Sequence, residues 1–317
     1  GHRDYPAAIA ELQIARQQLA NSAEVPRMLA AIARRQGRAA DMIAGFQEAT
    51  LLDPRSSFSL DQLGLSYTAL RRFADADRAL GQAEAVTRDP VDERVTRALN
   101  TVAWKGDLAS LRAALAALEP GTDVYAGNAA TYFELHWWSR DFAAAARVAQ
   151  NNTDDEWSDT ANIALPRLLY LAWAQQASQD PKAAETYAAV RKIVTTPPAQ
   201  QSQRAEVHLA AAFAAAGLGM KAEALSEGQR AAEMLPTSRD ALSGAAVQVY
   251  LAQIYVRVGE HDLALTMLQA SLPLFSGQSV SAALLKLDPV WDPIRSDPRF
   301  AALSTQFEQP IGIKPAP

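Results

Sequence analysis

Apolar residues recur three and four apart along most of the chain, and the runs break at regular distances. Between Phe58 and Ala83 the pattern reads Leu60, Leu63-Gly64 and Tyr67, then, past a short polar break, Ala76, Leu80 and Ala83. Residues three and four apart share one face of a helix, so the stretch predicts two amphipathic helices joined by a tight turn. Gly64 and Ala76 are predicted to meet where the helices cross, because a bulkier residue would hold the backbones apart. Leu63, Tyr67 and Leu80 fill the space around that contact. The same helix pair is predicted again along the chain, with turns at Arg3, Gly37, Arg71, Gly106, Arg140, Gln179, Gly219 and Gly259, at intervals of 34, 34, 35, 34, 39, 40 and 40 residues. Five residues after each turn an inward position is expected: Ala8, Met42, Ala76, Leu111, Ala145, Ala184, Ala224 and Ala264. Six of these eight are alanine, as close helix crossings require. Met42 and Leu111 are the exceptions, and their helix pairs are expected to splay. From the sixth unit on, the longer period predicts roughly one added helical turn, in helix or linker.

The first unit supplies only its second helix, Tyr5 to about Leu19. Asp53-Pro54, Asp89-Pro90 and Glu119-Pro120-Gly121 end units two, three and four, since proline cannot continue a helix and forces extension before it. Asn151 to Glu156 reads as a polar, acidic, solvated connection. Thr195–Gln200, with two prolines, is the expected flexible joint. In the cap, Asp288-Pro289, Asp292-Pro293 and Asp297-Pro298 each predict an N-cap aspartate before a first-turn proline. The expected organisation is units one to six over residues 3–194, a hinge over 195–202, units seven and eight over 203–272, a helical cap over 273–308 and a disordered tail over 309–317.

The spacing of Leu60, Leu63-Gly64, Tyr67, Ala76, Leu80 and Ala83 resembles the tetratricopeptide (TPR) repeat, with leucine where the leading tryptophan would stand. The fold class expected is all-α: a right-handed TPR-like superhelix of about eight helix-turn-helix units with a C-terminal helical cap. The segment Leu284-Leu285-Lys286-Leu287-Asp288-Pro289-Val290-Trp291-Asp292-Pro293, continuing to Phe300, is similar to the end of TPR regions in multidomain bacterial signalling proteins. There the array follows a Ser/Thr kinase, a nucleotide cyclase or a winged-helix regulator. That resemblance implies a sensory or regulatory C-terminal region. It also implies an extracytoplasmic location if a membrane span precedes the array and a cytoplasmic one otherwise. For a start at Gly1 without an initiator methionine, inside what reads as half a repeat, the expectation is a segment excised from a longer protein, with a processed natural start as the alternative.

Composition narrows the function classes. The 317 residues are 49% hydrophobic with a formal charge of −5. No Lys/Arg cluster is present to neutralise phosphates, so no nucleic acid is expected as a partner of this segment. There is no cysteine, which excludes disulfides and thiolate chemistry. No apolar run reaches the length of a membrane-spanning helix. The four histidines, His2, His136, His208 and His261, lack metal-ligand spacing, and His136 alone stands beside a candidate pocket. Asp154-Asp155-Glu156 lacks the spaced ligands of a calcium loop. Paired carboxylates of the kind that catalyse hydrolysis are not placed by the repeat phase to face each other. No cofactor, metal or catalytic residue is expected.

In TPR arrays the first helices line the concave surface. Counting back from the inward positions assigns Arg97, Asn100 and Trp104 to the groove in unit four. Unit five adds Thr131, Glu134, Trp137 and Trp138, unit six Tyr170 and Trp173, unit seven Phe213, and unit eight Gln253 and Arg257. Four of the six tryptophans thus share one groove, either as core or as a recognition surface of the kind that carries binding hot spots. The function expected is a non-catalytic interaction scaffold that binds a peptide or protein segment there. The alternatives are the signalling region described above and, remotely, an all-helical hydrolase.

Overall fold

Every described turn position named above holds a residue in the left-handed region: Gly37, Gly106, Gly219 and Gly259 at φ 71° to 77°, and Arg71, Arg140 and Gln179 at 56° to 59°. The computed structural model describes residues 4–118, 128–159, 161–197 and 204–312. After α1 (Tyr5–Gln18), the helices stack in antiparallel pairs. These are α2 (Glu24–Arg35) with α3 (Ala39–Leu52), α4 (Ser57–Ala69) with α5 (Phe73–Val86), and α6 (Val91–Lys105) with α7 (Leu108–Ala116). Next come α8 (Ala129–Trp138) with α9 (Phe142–Asn151), and α10 (Arg167–Ala177) with α11 (Ala183–Thr195). The last are α12 (Ala205–Gly217) with α13 (Lys221–Met234), and α14 (Ala241–Arg257) with α15 (His261–Ser271). The fold is an all-α, TPR-like solenoid.

The left-handed residue is what reverses the chain. It lets the next N–H fold back onto the carbonyl five residues earlier, satisfying a helix end that has no partner of its own. Arg38 N–H donates to Ala33 O at 2.9 Å, Arg72 to Tyr67 at 2.9 Å and Asp141 to His136 at 2.9 Å; Asp180, Met220 and Glu260 repeat the bond at 2.8–2.9 Å. The crossing in unit three is close: a Cβ on Gly64 would lie 2.5 Å from Leu80 Cγ. In unit two Met42 is wholly buried without splaying the pair, because the close approach passes to Gly45, whose Cβ would lie 2.9 Å from both Ala30 Cβ and Pro26 O. Unit six departs from the expected phase. Ala184 is exposed, and Tyr187 and Val190 turn inward. The Asp180 carboxylate accepts from Lys182 N–H at 2.9 Å and its carbonyl from Ala183 N–H at 3.1 Å, an extra local turn that rotates α11 by one residue. Tyr187 then lies flat on Gly217, where a Cβ would come within 2.4 Å of the ring.

Two of the three lengthened intervals have a visible source. Between α9 and α10 the chain forms a hairpin, β1 (Glu156–Ser158) with β2 (Ala164–Pro166), antiparallel with Trp157 opposite Leu165. Its inward side chains, Trp157, Ile163 and Leu165, are buried. The stretch read as a solvated connection is therefore built into the stack, although Asp154, Asp155 and Glu156 themselves are exposed. Asn152 caps α9 and accepts from Trp157 Nε1 at 2.9 Å. Later, α14 extends to 17 residues. The joint expected at Thr195–Gln200 starts at the last residue of α11, and from Pro198 on it lies outside the described residues. The expected turn at Arg3 and the loop around Gly121 also lie outside them.

The stack closes on itself. In the cap, α16 (Ala282–Leu287), a 3-10 helix (Pro289–Ile294) and α17 (Pro298–Gln306) follow α15. Asp288 and Asp297 cap their helices as expected, whereas Asp292 sits inside the 3-10 helix and pairs with Arg140 at 2.6 Å. Helix C-termini leave carbonyls unpaired, and the cap supplies their donors. Gly277 N–H reaches Ala69 O at 3.2 Å, Ile311 N–H reaches Leu70 O at 3.0 Å, and Ser281 Oγ reaches Ala103 O at 2.5 Å. Arg71 donates to the carbonyls of Leu272 and Gln309. Gln309 and Ile311 are thus tied down within the segment expected to be a disordered tail, whose residues 313–317 lie outside the described residues. On the other side, α2 meets α14 through Arg35, which bonds the fully buried Asp240 at 2.8 Å and Ser243 Oγ at 2.7 Å. Burying each large apolar side chain at these seams, among them Trp291 and Phe307, adds roughly 1.5–3 kcal/mol.

Candidate functional site

Closure turns the groove into a cavity of about 260 Å³. Its back wall is an aromatic ladder carried by successive first helices. Phe133 meets Tyr170 at 5.2 Å, Tyr170 meets Trp173 at 5.0 Å, Trp173 meets Phe213 at 5.0 Å, and Phe213 meets Tyr250 at 6.0 Å, all steeply tilted or edge-on. Units five to eight each place at least one aromatic on their first helix, with Tyr170 and Trp173 both on α10, so the packed helices bring the rings together. Each such pair adds about 0.5–1.5 kcal/mol beyond burial. Trp157 of the hairpin joins the ladder 4.9 Å from Tyr170. The front wall comes from the cap, through Gln278, Ser279, Leu284, Asp288 and Val290.

Of the residues assigned to the groove, Asn100, Thr131, Glu134, Trp137, Trp138, Tyr170, Trp173, Gln253 and Arg257 line this cavity. Three do not. Arg97 is held on α5 by Asp77 at 2.8 Å and Glu84 at 3.1 Å. Trp104, in the last turn of α6, is 40% exposed beneath Lys105 Nζ and off the cavity wall. Phe213 is wholly buried behind Trp173. Asn100 has only its edge on the wall, since its amide is fixed by Thr68 Oγ1 at 2.9 Å and Phe73 O at 3.1 Å. Trp137 donates Nε1 to Asp288 at 2.9 Å and so fastens the cap to α8. His136 is absent from the wall, and burial lowers its pKa. Among the described residues no group of three metal-ligating side chains is found.

Sequence reasoning missed that carboxylates converge here. Asp159, at the hairpin tip, and Asp288, in the cap, join Glu134 on the cavity wall; both lie outside the repeats, whose phase places no such pair. Burial, then the charges of Asp159 and Asp288, push the Glu134 pKa to about 8. Burial raises Asp159 to about 6, against the stabilising bonds from Ile163 N–H, Tyr250 OH and Ala161 N–H. Asp288 is raised by burial despite bonds from Val290 N–H and Trp137. Arg257 faces the same cavity with its pKa lowered by burial. The hints available were the interval of 39 residues, which admits an insertion somewhere between Arg140 and Gln179, and the Asp-Pro of the cap, whose aspartate serves as both N-cap and wall. An aromatic cavity holding acids and a guanidinium can bind a polar ligand by hydrogen bonds and cation–π contacts or exchange protons with one.

No family model matches the chain, and no curated protein does. Among solved structures the chain is similar to the P58(IPK) TPR domain crystal structure. The alignment covers 95% of this chain and 92% of that one at 9% identity, with a TM-score of 0.26. The helix pairing and the turn geometry described above carry the repeat architecture by themselves.

Proposed function

We propose that the protein is a non-catalytic binding module that holds a peptide or an extended segment of a partner protein in the central cavity. Glu134, Trp137, Trp138, Tyr170 and Trp173 form the contact surface. The observation that carries this reading is the aromatic ladder opening onto a cavity of about 260 Å³. A pure packing role would close such rings against apolar neighbours, leaving no space and no charged groups beside them. The test is affinity for peptides selected from a random library, measured for the wild type and for Thr131→Trp, which fills the cavity from its rim. Binding at least about tenfold weaker, with an unchanged melting curve, is expected. Unchanged affinity would remove the cavity from consideration.

The elevated Glu134 beside Asp159, which ionises at lower pH, favours one second reading: a hydrolase with Glu134 as general acid. Mass analysis of the same incubations separates the two. Intact peptides support the binding module, and fragments that disappear with Glu134→Gln support the hydrolase.

A further inference from the structure

A guanidinium and a carboxyl group face this cavity, each, among the described residues, without an ion pair and with no hydrogen bond at Arg257 Nε or at the Glu134 carboxyl. The Arg257 guanidinium lies over the rings of Trp173, at 5.0 Å, and Phe213, at 5.5 Å. Its Nε is buried with no acceptor, and it forms no ion pair among the described residues. Trp173, only 8% exposed, also has no acceptor for its Nε1. Glu134 has neither a hydrogen bond nor an ion pair among the described residues, and the charged neighbours that act on it, Asp159 and Asp288, repel it. Those two aspartates are already supplied: Asp159 by Ala161 N–H, Ile163 N–H and Tyr250 OH, and Asp288 by Val290 N–H and Trp137 Nε1. Folds rarely bury a charge unpaired, because desolvation is then uncompensated. Here a single cavity keeps a guanidinium and a carboxyl that holds its proton, ready to ionise beside a cation, and the chain does not join them.

We propose that the ligand is doubly charged with opposite signs, presenting a carboxylate to Arg257 and Trp173 Nε1 and an ammonium or guanidinium to Glu134. This rests on the binding reading above and names the chemistry of what is bound. Gln278, whose Oε1 is also unpartnered, lines the same cavity and adds an acceptor. Two sources carry this chemistry: the free termini of a short peptide, or basic and acidic side chains of a longer segment.

The experiment is calorimetric titration with five peptides: unblocked Ala-Phe-Ala, its N-acetyl form, its C-amide, its doubly blocked form, and doubly blocked Ala-Lys-Phe-Glu-Ala. One of the two peptides bearing both charges is expected to bind about 10- to 100-fold more tightly than the doubly blocked tripeptide, the factor expected of charged hydrogen bonds. Which of the two wins identifies the source. Glu134→Gln and Arg257→Met are each expected to remove most of that preference. Arg257→Met should also raise the denaturation midpoint of the empty protein, a gain that a merely structural arginine would not give. If the neutral tripeptide binds as tightly, or if both variants leave the preference intact, the inference falls while the binding reading stands. If none of the five binds, both fall.

Discussion

Gly277→Ala is expected to destabilise the protein by about 2–4 kcal/mol and to release the cap from α4. A Cβ at this position would stand 2.2 Å from Thr68 O, 3.1 Å from Ala69 O and 2.9 Å from Arg71 Cγ. Two of those three atoms are backbone at the end of a helix, where no rotamer change can make room. The methyl group must therefore lift the segment and break the bond from Gly277 N–H to Ala69 O. That leaves a buried carbonyl unpaired and weakens the tether from Arg71 to Leu272 O. Denaturant unfolding measures the effect. A lower midpoint, with stronger quenching of the cavity tryptophans by acrylamide, is predicted; a midpoint equal to the wild type would show that the close approach does not hold the ring shut.

Glu134→Gln is expected to change how stability depends on pH. In the folded chain Glu134 holds its proton up to about pH 8, against 4.5 for the ordinary side chain. Between those values the folded state keeps a proton that the unfolded state has released. Stability from this group is thus complete below about pH 4.5 and is lost as pH rises through about 8. Glutamine removes the slope, so the variant should gain on the wild type by several kcal/mol between pH 5 and pH 9. The groups that face Glu134 across the cavity are Asp159 from the hairpin, Asp288 from the cap, and the hydroxyls of Tyr170 and Tyr250. Asp159, raised to about 6, adds a slope of the same sign that ends at lower pH and is shared by both proteins. Unfolding curves at pH 5, 7 and 9 test this. A difference between wild type and variant that stays constant with pH would mean that Glu134 is solvated and ionised throughout.

Much of the architecture was legible because it is local. A helix turn reversed through a left-handed residue leaves its mark within five residues, so Gly37, Gly106, Gly219 and Gly259 could be read directly. Arg71, Arg140 and Gln179 fell into line by spacing alone. The reason arginine stands where glycine would be less strained was not legible. Arg71 and Arg140 spend the left-handed cost, about 1–2 kcal/mol, at positions whose side chains reach the cap, at Leu272 O and Asp292. That contact joins residues more than 150 apart in the chain, and no periodicity announces it. The same holds for the cavity. Trp137, Trp138, Tyr170 and Trp173 follow the repeat phase and were found. Asp159 lies in an insertion and Asp288 in the cap, both outside the repeat, so counting could not place them. Trp104 and Arg97 share the phase but sit at the helix end and edge, where α5 and solvent rather than the opposite wall receive them.

Closure of the stack is what makes a cavity out of a groove, and the absence of cysteine from the chain allows it to be measured cleanly. Spin labels on Arg38→Cys, beside the Gly37 turn, and Arg239→Cys, ahead of α14, flank the seam where a Cβ on Gly37 would lie 3.2 Å from Ala241 Cβ. The closed ring predicts a single short, narrow distance distribution between the labels, broadened by Gly277→Ala. A long or broad distribution in the wild type would mean an open ribbon, with no cavity to hold a ligand.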